Sequence, residues 1–360
     1  MIKLFYKVCI VLLLMFLIEI IASAQTNSDF IVGRLTARAG EKVSGNLEVP
    51  AGTDEATIIP ITIVNGIRPG PVLALVAGVH GYEYAPIITL QKVLPQLNAN
   101  ELAGTIILVH VANIPSFLKR TIYYSPVDGK NLNRVFPGKL DGTLTERIAY
   151  QLTKEVIERS DYFVDIHCGD GNESLSPYMA YYADTPDASV LARAKALALA
   201  FGISCIKPLR GRPRDPNAAV YSTNAAMLRG KVSIAVESGE LGRTDHESVS
   251  RIERGIFNLL RYLNMIAGQP ENFKNHVIID QEESVRSTVK GIFYPLVERG
   301  QPVRKGMLIG YVTDFFGRRI MDATAPLTGV VLYMLATPPI SEGEPIASIG
   351  HIAETDVEEK

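Results

Sequence analysis

The chain has 360 residues, of which 47% are hydrophobic and 21% are charged, with 29 glycines, 21 prolines and no tryptophan. This composition is ordinary for a globular protein and excludes a disordered, collagen-like or coiled-coil chain. Lysine and arginine total 36 against 38 aspartates and glutamates, so the formal net charge is −2. No basic surplus is available to neutralise a phosphate backbone, and nucleic-acid binding is therefore not expected.

The first 24 residues have the pattern of a secretory signal peptide. Lys3 and Lys7 form a positive start, an apolar run covers residues 8–18, and small residues at 22–24 suit a signal peptidase. A retained membrane anchor is the alternative, but the run is shorter than the roughly 18–20 residues of a span and Glu19 interrupts it. We therefore expect cleavage after Ala24 and an exported protein, periplasmic or extracellular, without a stable membrane span.

Two cysteines remain beyond that segment, Cys168 and Cys205, and two thiols do not make a disulfide scaffold in a chain of this length. Cys168 directly follows His167, which suggests a nucleophile. Because no second base is evident beside it, a small buried residue is the preferred interpretation of Cys168.

Up to about residue 270, short apolar runs alternate with amphipathic segments. Four runs have the composition of strands buried on both faces: residues 71–76, 105–111, 162–166 and 232–236. Four segments have helical character: residues 85–97, 145–159, 189–201 and 248–266. This alternation predicts an α/β protein with a mixed, mostly parallel sheet flanked by helices.

The chain changes character near residue 270. From about residue 276 to 352, brief strand-like pieces are divided by glycine and proline, with little helical periodicity. We expect a small all-β domain here, a barrel or a sandwich, in which no catalytic residue is evident. The predicted organisation is a signal peptide over 1–24, a catalytic domain over 25–270 and a C-terminal β domain over 271–360.

Three of the four predicted strands end in metal ligands or acids. His80 and Glu83 lie in a glycine-flanked turn after the first strand, His167 ends the third and Glu237 ends the fourth. In open α/β sheets the active crevice lies outside the carboxyl ends of the strands, so these side chains are expected to converge. Two histidines and one carboxylate are a ligand set of hydrolytic zinc, which leaves one position for water.

Glu237 is the additional acid at this edge. A zinc-bound water needs a nearby carboxylate to take its proton and deliver it to the leaving group. A salt-bridged glutamate at a strand end is the structural alternative, and Glu240 is a rival base three residues later.

Residues 128–138 form a loop by their glycine and proline content. Within it, Asn133 and Arg134 are suited to clamp a carboxylate, because arginine presents a rigid bidentate fork. Arg120 lies upstream in the same connection. A surface arginine is usually a solvated charge, so these assignments depend on the neighbouring motif.

Together these motifs resemble the succinylglutamate desuccinylase/aspartoacylase family, a branch of the zinc carboxypeptidase fold. The matching blocks are residues 78–83 (GVHGYE), 131–136 (NLNRVF), 165–167 (DIH) and Glu237, in matching order over about residues 35–350. The resemblance implies one zinc ion per chain, held by His80, Glu83 and His167.

The same resemblance implies roles for four further residues. Glu237 would act as general base and acid, Asn133 and Arg134 would hold a substrate carboxylate, and Arg120 would polarise the scissile carbonyl. One position departs from the family, since Asn131 stands where many relatives have aspartate. If this residue orients His80, its neutral amide pushes less charge onto the imidazole and alters zinc affinity or water acidity.

The leading expectation is a zinc-dependent deacylase that cleaves an amide bond of an N-acyl amino acid or similar small substrate through metal-activated water. An exported zinc carboxypeptidase acting on short or cell-envelope peptides is the first alternative. A binding protein that kept the fold and lost catalysis is the second. The acyl group, the amine and the oligomeric state, including a homo-oligomer, are left open by the sequence.

Overall fold

The computed structural model describes residues 26–353. The predicted signal peptide over residues 1–24 lies outside the described residues. Within residues 26–353, no helix combines the length and the apolar character needed to span a membrane.

The described residues form a mixed α/β fold. Its strands are β1 (Phe30–Val32), β2 (Leu35–Ala37), β3 (Glu41–Val49), β4 (Thr57–Asn65), β5 (Arg68–Val76), β6 (Ala103–Val109), β7 (Tyr162–His167), β8 (Glu173–Leu175), β9 (Tyr178–Tyr182), β10 (Cys205–Leu209), β11 (Val232–Glu237), β12 (Val277–Arg286), β13 (Gly291–Pro295), β14 (Pro302–Val303), β15 (Leu308–Thr313), β16 (Arg319–Thr324), β17 (Gly329–Leu335), β18 (Pro339–Ile340) and β19 (Pro345–Ile352). Its α-helices are Tyr84–Val93, Ile114–Lys119, Leu144–Leu152, Ala188–Phe201, Ser222–Met227 and His246–Tyr262.

One long sheet organises the molecule, in the order β14-β17-β19-β12-β10-β9-β11-β7-β5-β6-β4-β3, with β8 paired to β17. Its centre is parallel, because β6, β5, β7 and β11 run in one direction. Antiparallel partners follow on both sides, β4 beside β6 and β9 beside β11. The predicted mixed, mostly parallel sheet flanked by helices is therefore confirmed.

The predicted elements are present with shifted ends. Strand β5 begins at Arg68, three residues before the predicted start. The helix predicted over 145–159 is α-helical only over Leu144–Leu152 and continues as a π-helical turn over Thr153–Ile157. Strands β9 and β10 were not predicted, since their tyrosine, lysine and proline residues break the apolar run that marks the central strands.

Two hydrophobic cores cover the two faces of the central sheet. Alternate residues of β5 face opposite cores, Leu73 and Leu75 on one side and Ala74 and Val76 on the other. Burying a leucine side chain in this way stabilises the fold by about 1.5–3 kcal/mol. The well-packed centre gives the carboxyl ends of β5, β7 and β11 a rigid common edge.

The strands after residue 276 form two sheets over a third core, as expected for an all-β C-terminal region. Strands β16, β15, β13 and β18 make a separate antiparallel sheet. Strands β12, β19, β17 and β14 instead extend the main sheet, because β12 pairs in parallel with β10. The division into domains over 25–270 and 271–360 stays a prediction.

Candidate active site

The predicted ligands meet at the common edge of the central strands. His80 and Glu83 lie in the turn between β5 and the helix Tyr84–Val93, where Glu83 is the N-terminal capping residue. His167 is the last residue of β7, and Glu237 is the last residue of β11 and its direct partner in the parallel register. These four side chains line one cavity of about 580 Å³. The structure therefore brings all four together.

The carboxylate of Glu83 lies between the two histidines. Its Oε1 is 2.7 Å from Nδ1 of His80, and its Oε2 is 2.8 Å from Nδ1 of His167. One ligand atom from each of the three residues lies within 4.8 Å of the other two, and all three residues are buried. Such a cluster can hold a metal ion.

The far side of each imidazole ring is also fixed. Nε2 of His80 lies 3.1 Å from Oδ1 of Asn131, and the same oxygen accepts the backbone N–H of Asn133. Nε2 of His167 lies 2.9 Å from Oδ2 of Asp165, which is fully buried. Both outer partners are hydrogen-bond acceptors, so a hydrogen on each Nε2 would satisfy them and would leave the lone pair of each Nδ1 for a metal ion beside Glu83.

The chemistry of this donor set fits zinc. Two imidazole lone pairs and a carboxylate face one another in a buried space, an arrangement that favours a positive charge at their centre. Burial opposes charge on all three, yet the pKa of Glu83 is lowered by the two histidines and the pKa of His167 is raised by Asp165 and Glu83. Hydrogen-bonded outer partners on both rings are typical of zinc-binding histidines.

Glu237 stands beside the cluster without a structural partner. Among residues 26–353, no side chain forms an ion pair or a hydrogen bond with its carboxylate, which excludes the salt-bridged alternative within that range. Burial raises the pKa of Glu237, and the nearby carboxylate of Glu83 raises it further. A carboxyl group with a raised pKa is suited to exchange protons near neutral pH.

The rival acid Glu240 is engaged elsewhere. Its Oε2 accepts a hydrogen bond from Nε of Arg299 at 2.6 Å and another from the hydroxyl of Ser174 at 2.8 Å. These contacts hold its pKa below the ordinary value despite burial. Glu240 therefore serves as an ion-pair partner of the C-terminal region, outside the cavity lining.

The loop that carries Asn133 and Arg134 also reaches the cavity. Asn133 accepts the backbone N–H of Ser222 at 2.9 Å, and its Nδ2 is 3.4 Å from Nε2 of His167. The guanidinium carbon of Arg134 lies 4.7 Å from the centre of the Tyr221 ring. Arg134 is exposed at the rim of the cavity, and its guanidinium donates a hydrogen bond to the backbone carbonyl of Asn133 at 2.7 Å.

Arg120 is exposed and does not line the cavity, so the structure does not bring it to the cluster, and its role in polarising the scissile carbonyl stays a prediction. It ends the helix Ile114–Lys119 in a left-handed conformation, with φ 52° and ψ 53°. This cap reverses the chain direction and leaves Arg120 exposed, outside the residues that line the cavity. The chain then turns inwards, and Tyr123 enters the lining instead.

The opposite wall of the cavity combines β9 and β10 with the C-terminal strands. Nζ of Lys207, a buried residue of β10, lies 2.7 Å from Oε2 of Glu282 on β12 and 4.2 Å from the centre of the Tyr178 ring. Ser348 on β19 donates a hydrogen bond to Glu282. No sequence motif marks these residues, although Lys207 is a signal in hindsight because it interrupts a short apolar strand.

Cys168 does not take part in this site. Its side chain is buried, and burial raises the pKa of the thiol well above its ordinary value. Cys168 is thus a neutral packing residue, as preferred from the sequence.

Comparison with known proteins decides the family. Residues 69–263 match the family described as succinylglutamate desuccinylase/aspartoacylase catalytic domain. An N-alpha-acetyl-L-2,4-diaminobutyric acid deacetylase from Halomonas elongata is 32% identical over 325 residues, which cover 86% of this chain and 92% of that protein. The chain belongs to the succinylglutamate desuccinylase/aspartoacylase family. The family resemblance stated from the motifs is confirmed.

Solved structures agree with this membership. A succinylglutamate desuccinylase/aspartoacylase from Rhodobacter sphaeroides is 25% identical and superposes with a TM-score of 0.79, covering 92% of this chain and all of that chain. The product-bound ectoine utilization protein EutE (DoeB) from Ruegeria pomeroyi is 26% identical with the same TM-score, covering 91% and 100%. As a member of this family, the protein is a deacylase of acylated amino acids.

Proposed function

We propose that this family member is a zinc-dependent deacylase that hydrolyses the amide bond of a small N-acyl amino acid. The observation that carries the proposal is the convergence of both histidine Nδ1 atoms on Glu83, with unpaired Glu237 on the adjacent strand. His80, Glu83 and His167 would hold one zinc ion per chain. When bound, zinc would act as a Lewis acid and would lower the pKa of the water that it binds.

The remaining chemistry depends on this chain's own residues. Glu237 accepts a proton from the water that attacks the amide carbonyl and passes it to the departing nitrogen. Asn131 and Asp165 keep the two imidazole rings in the orientation that presents Nδ1. The raised pKa of Glu237 supports this role, because the group must both accept and donate the proton.

Substrate recognition is assigned to the cavity rim. Arg134 and Asn133 would bind the carboxylate of the amino acid, since a guanidinium group matches a carboxylate bidentately. A cavity of about 580 Å³ is in the range of small-molecule sites. The Halomonas elongata relative is a deacetylase of an acetylated amino acid, which supports the same substrate class here.

The proposal is tested with purified, zinc-loaded protein. We expect release of free amino acid from a panel of N-acyl amino acids, and about one zinc ion per chain by elemental analysis. Short peptides with a free carboxyl terminus form the comparison panel. Release of C-terminal residues from the peptides, with no turnover of the N-acyl amino acids, would support the carboxypeptidase alternative. No turnover of either panel would support a binding protein.

We also propose that the protein acts outside the cytoplasm. The support is the charged start, apolar run and small residues of positions 1–24. N-terminal sequencing of the native protein should begin at Gln25. An intact Met1 in the membrane fraction would show that the segment is a retained anchor.

A further inference from the structure

Tyr123 occupies the cavity wall beside the ligand cluster. It lies three residues after Arg120, and its ring meets that of His80 edge to face, with centroids 6.2 Å apart and an interplanar angle of 89°. Its neighbour Tyr124 is 57% exposed, and its ring meets that of Tyr123 edge to face with centroids 6.2 Å apart. Of the two adjacent tyrosines, only Tyr123 lines the cavity.

The backbone of Tyr123 is held in an unfavourable conformation. Its φ is 57°, in the left-handed region that bulky side chains rarely adopt. Two tethers maintain it: the backbone N–H donates to Oδ2 of Asp170 at 3.1 Å, and the phenol donates to Oε1 of Glu173 at 2.7 Å. Strain that the surroundings maintain is typical of functional positions.

The phenol presents a neutral hydrogen-bond donor in the cavity wall, because a tyrosine hydroxyl carries its proton at neutral pH. The side-chain oxygens of Asn131 and Asn133 are already engaged, because they accept the backbone N–H groups of Asn133 and Ser222. Arg120, the residue expected from the sequence to meet the carbonyl oxygen, is exposed outside the cavity.

We propose that Tyr123 is a catalytic residue whose phenolic O–H donates a hydrogen bond to the carbonyl oxygen of the scissile amide. This assignment rests on the proposed deacylase function. The hydroxyl rotates from Glu173 and Asn172, its acceptors in the structure at 2.7 and 3.1 Å, to the substrate oxygen. No covalent bond is made or broken and no proton is transferred. Glu173 keeps its second hydrogen bond, from the backbone N–H of Asp170 to Oε2 at 2.9 Å. In this orientation the donor meets the atom on which negative charge develops in the transition state.

Tyr123→Phe tests the assignment, because it removes only the hydroxyl. We expect kcat for an N-acyl amino acid to fall about 100-fold, with KM within about twofold, since the bond strengthens in the transition state. The Ki of a phosphonate analogue with a tetrahedral anionic centre should rise by a similar factor. Zinc content and Tm should match those of the wild type. Tyr124→Phe is the control and should keep full kcat, and Arg120→Gln is measured beside it because Arg120 is the residue expected from the sequence to hold this role.

Four other outcomes would overturn the assignment of Tyr123. An unchanged kcat in Tyr123→Phe would overturn it, and so would a loss explained by lower zinc content or lower Tm. A loss of kcat in Arg120→Gln with normal Tyr123→Phe would return the role to Arg120. If the wild type turns over no N-acyl amino acid, the proposed function fails and this assignment fails with it. An active wild type with an equally active Tyr123→Phe overturns this assignment alone.

Discussion

The amide oxygen of Asn131 lies 3.1 Å from Nε2 of His80. The corresponding nitrogen of His167 faces the carboxylate of Asp165 instead, at 2.9 Å. One ligand is thus supported by a neutral acceptor and the other by an anion. Because a carboxylate partner raises the basicity of a ligating imidazole, the two histidines are expected to differ in how strongly they hold a metal.

We therefore predict opposite effects from two isosteric substitutions. Asn131→Asp should tighten zinc binding about 10-fold, and Asp165→Asn should weaken it by about 10- to 100-fold, the scale of outer-partner effects on metal sites. Competition with a chromophoric chelator measures both. Asn46→Asp, at an exposed position of β3, is a matched control for the added charge. If Asn131→Asp bound zinc more weakly than the wild type, the side chain at position 131 would only orient His80 and would not control its basicity.

The second prediction separates the two glutamates that follow β11. Glu237→Gln keeps the size of the side chain but cannot accept a proton, so turnover should fall by about 10²- to 10⁴-fold with zinc content unchanged. Glu240→Gln should keep turnover within a few-fold, because that side chain contacts Arg299 outside the cavity. Steady-state kinetics on one N-acyl amino acid decides the matter. The reverse pattern would make Glu240 the base.

The parts of the site that the sequence predicts correctly are those attached to central strands. His167 and Glu237 end unbroken apolar runs, so their place at the sheet edge depends only on strand direction. The position of Arg120 depends on one left-handed residue at a helix end, and no local pattern indicates such a cap. Lys207 and Glu282 are 75 positions apart in the sequence. They meet because β10 and β12 pair in the folded sheet, which no local sequence pattern indicates.

The third prediction concerns the loop that carries Asn133 and Arg134. The carboxylate of Asp128 accepts the backbone N–H of Thr145 at 2.9 Å and its hydroxyl at 2.6 Å, and so joins this loop to the start of a helix. Asp128→Ala should lower the free energy of unfolding by about 1 kcal/mol, the usual effect of losing a cap. It should also raise KM, since Arg134 loses its support.

Urea unfolding and steady-state kinetics test this together. Asp141→Ala is the control, because Asp141 is an exposed residue of the same connection. A variant with normal stability and normal KM would show that the loop holds its position without Asp128.

The last prediction concerns the pH dependence of stability at the opposite wall. Although burial opposes it, the ammonium group of Lys207 and the hydroxyl of Ser348 lower the pKa of Glu282 below its ordinary value. A carboxyl group with a lowered folded-state pKa stabilises the fold above the unfolded-state pKa of about 4.3, and this contribution disappears as the pH falls through the folded-state pKa. Because 32% of the Glu282 side chain is exposed, we expect about 1 kcal/mol.

Glu282→Gln should therefore be less stable than the wild type by about 1 kcal/mol at pH 7, and the difference should be smaller at pH 3. Urea unfolding at both pH values measures the difference. Glu283→Gln is the matched control, since this adjacent residue of β12 is exposed and its carboxylate accepts a hydrogen bond from the side chain of Gln281 and forms no ion pair among the described residues. A stability difference that is as large at pH 3 as at pH 7 would mean that Glu282 acts through packing. Equal stability at pH 7 would mean that the ion pair with Lys207 contributes nothing to the junction between β10 and the C-terminal strands.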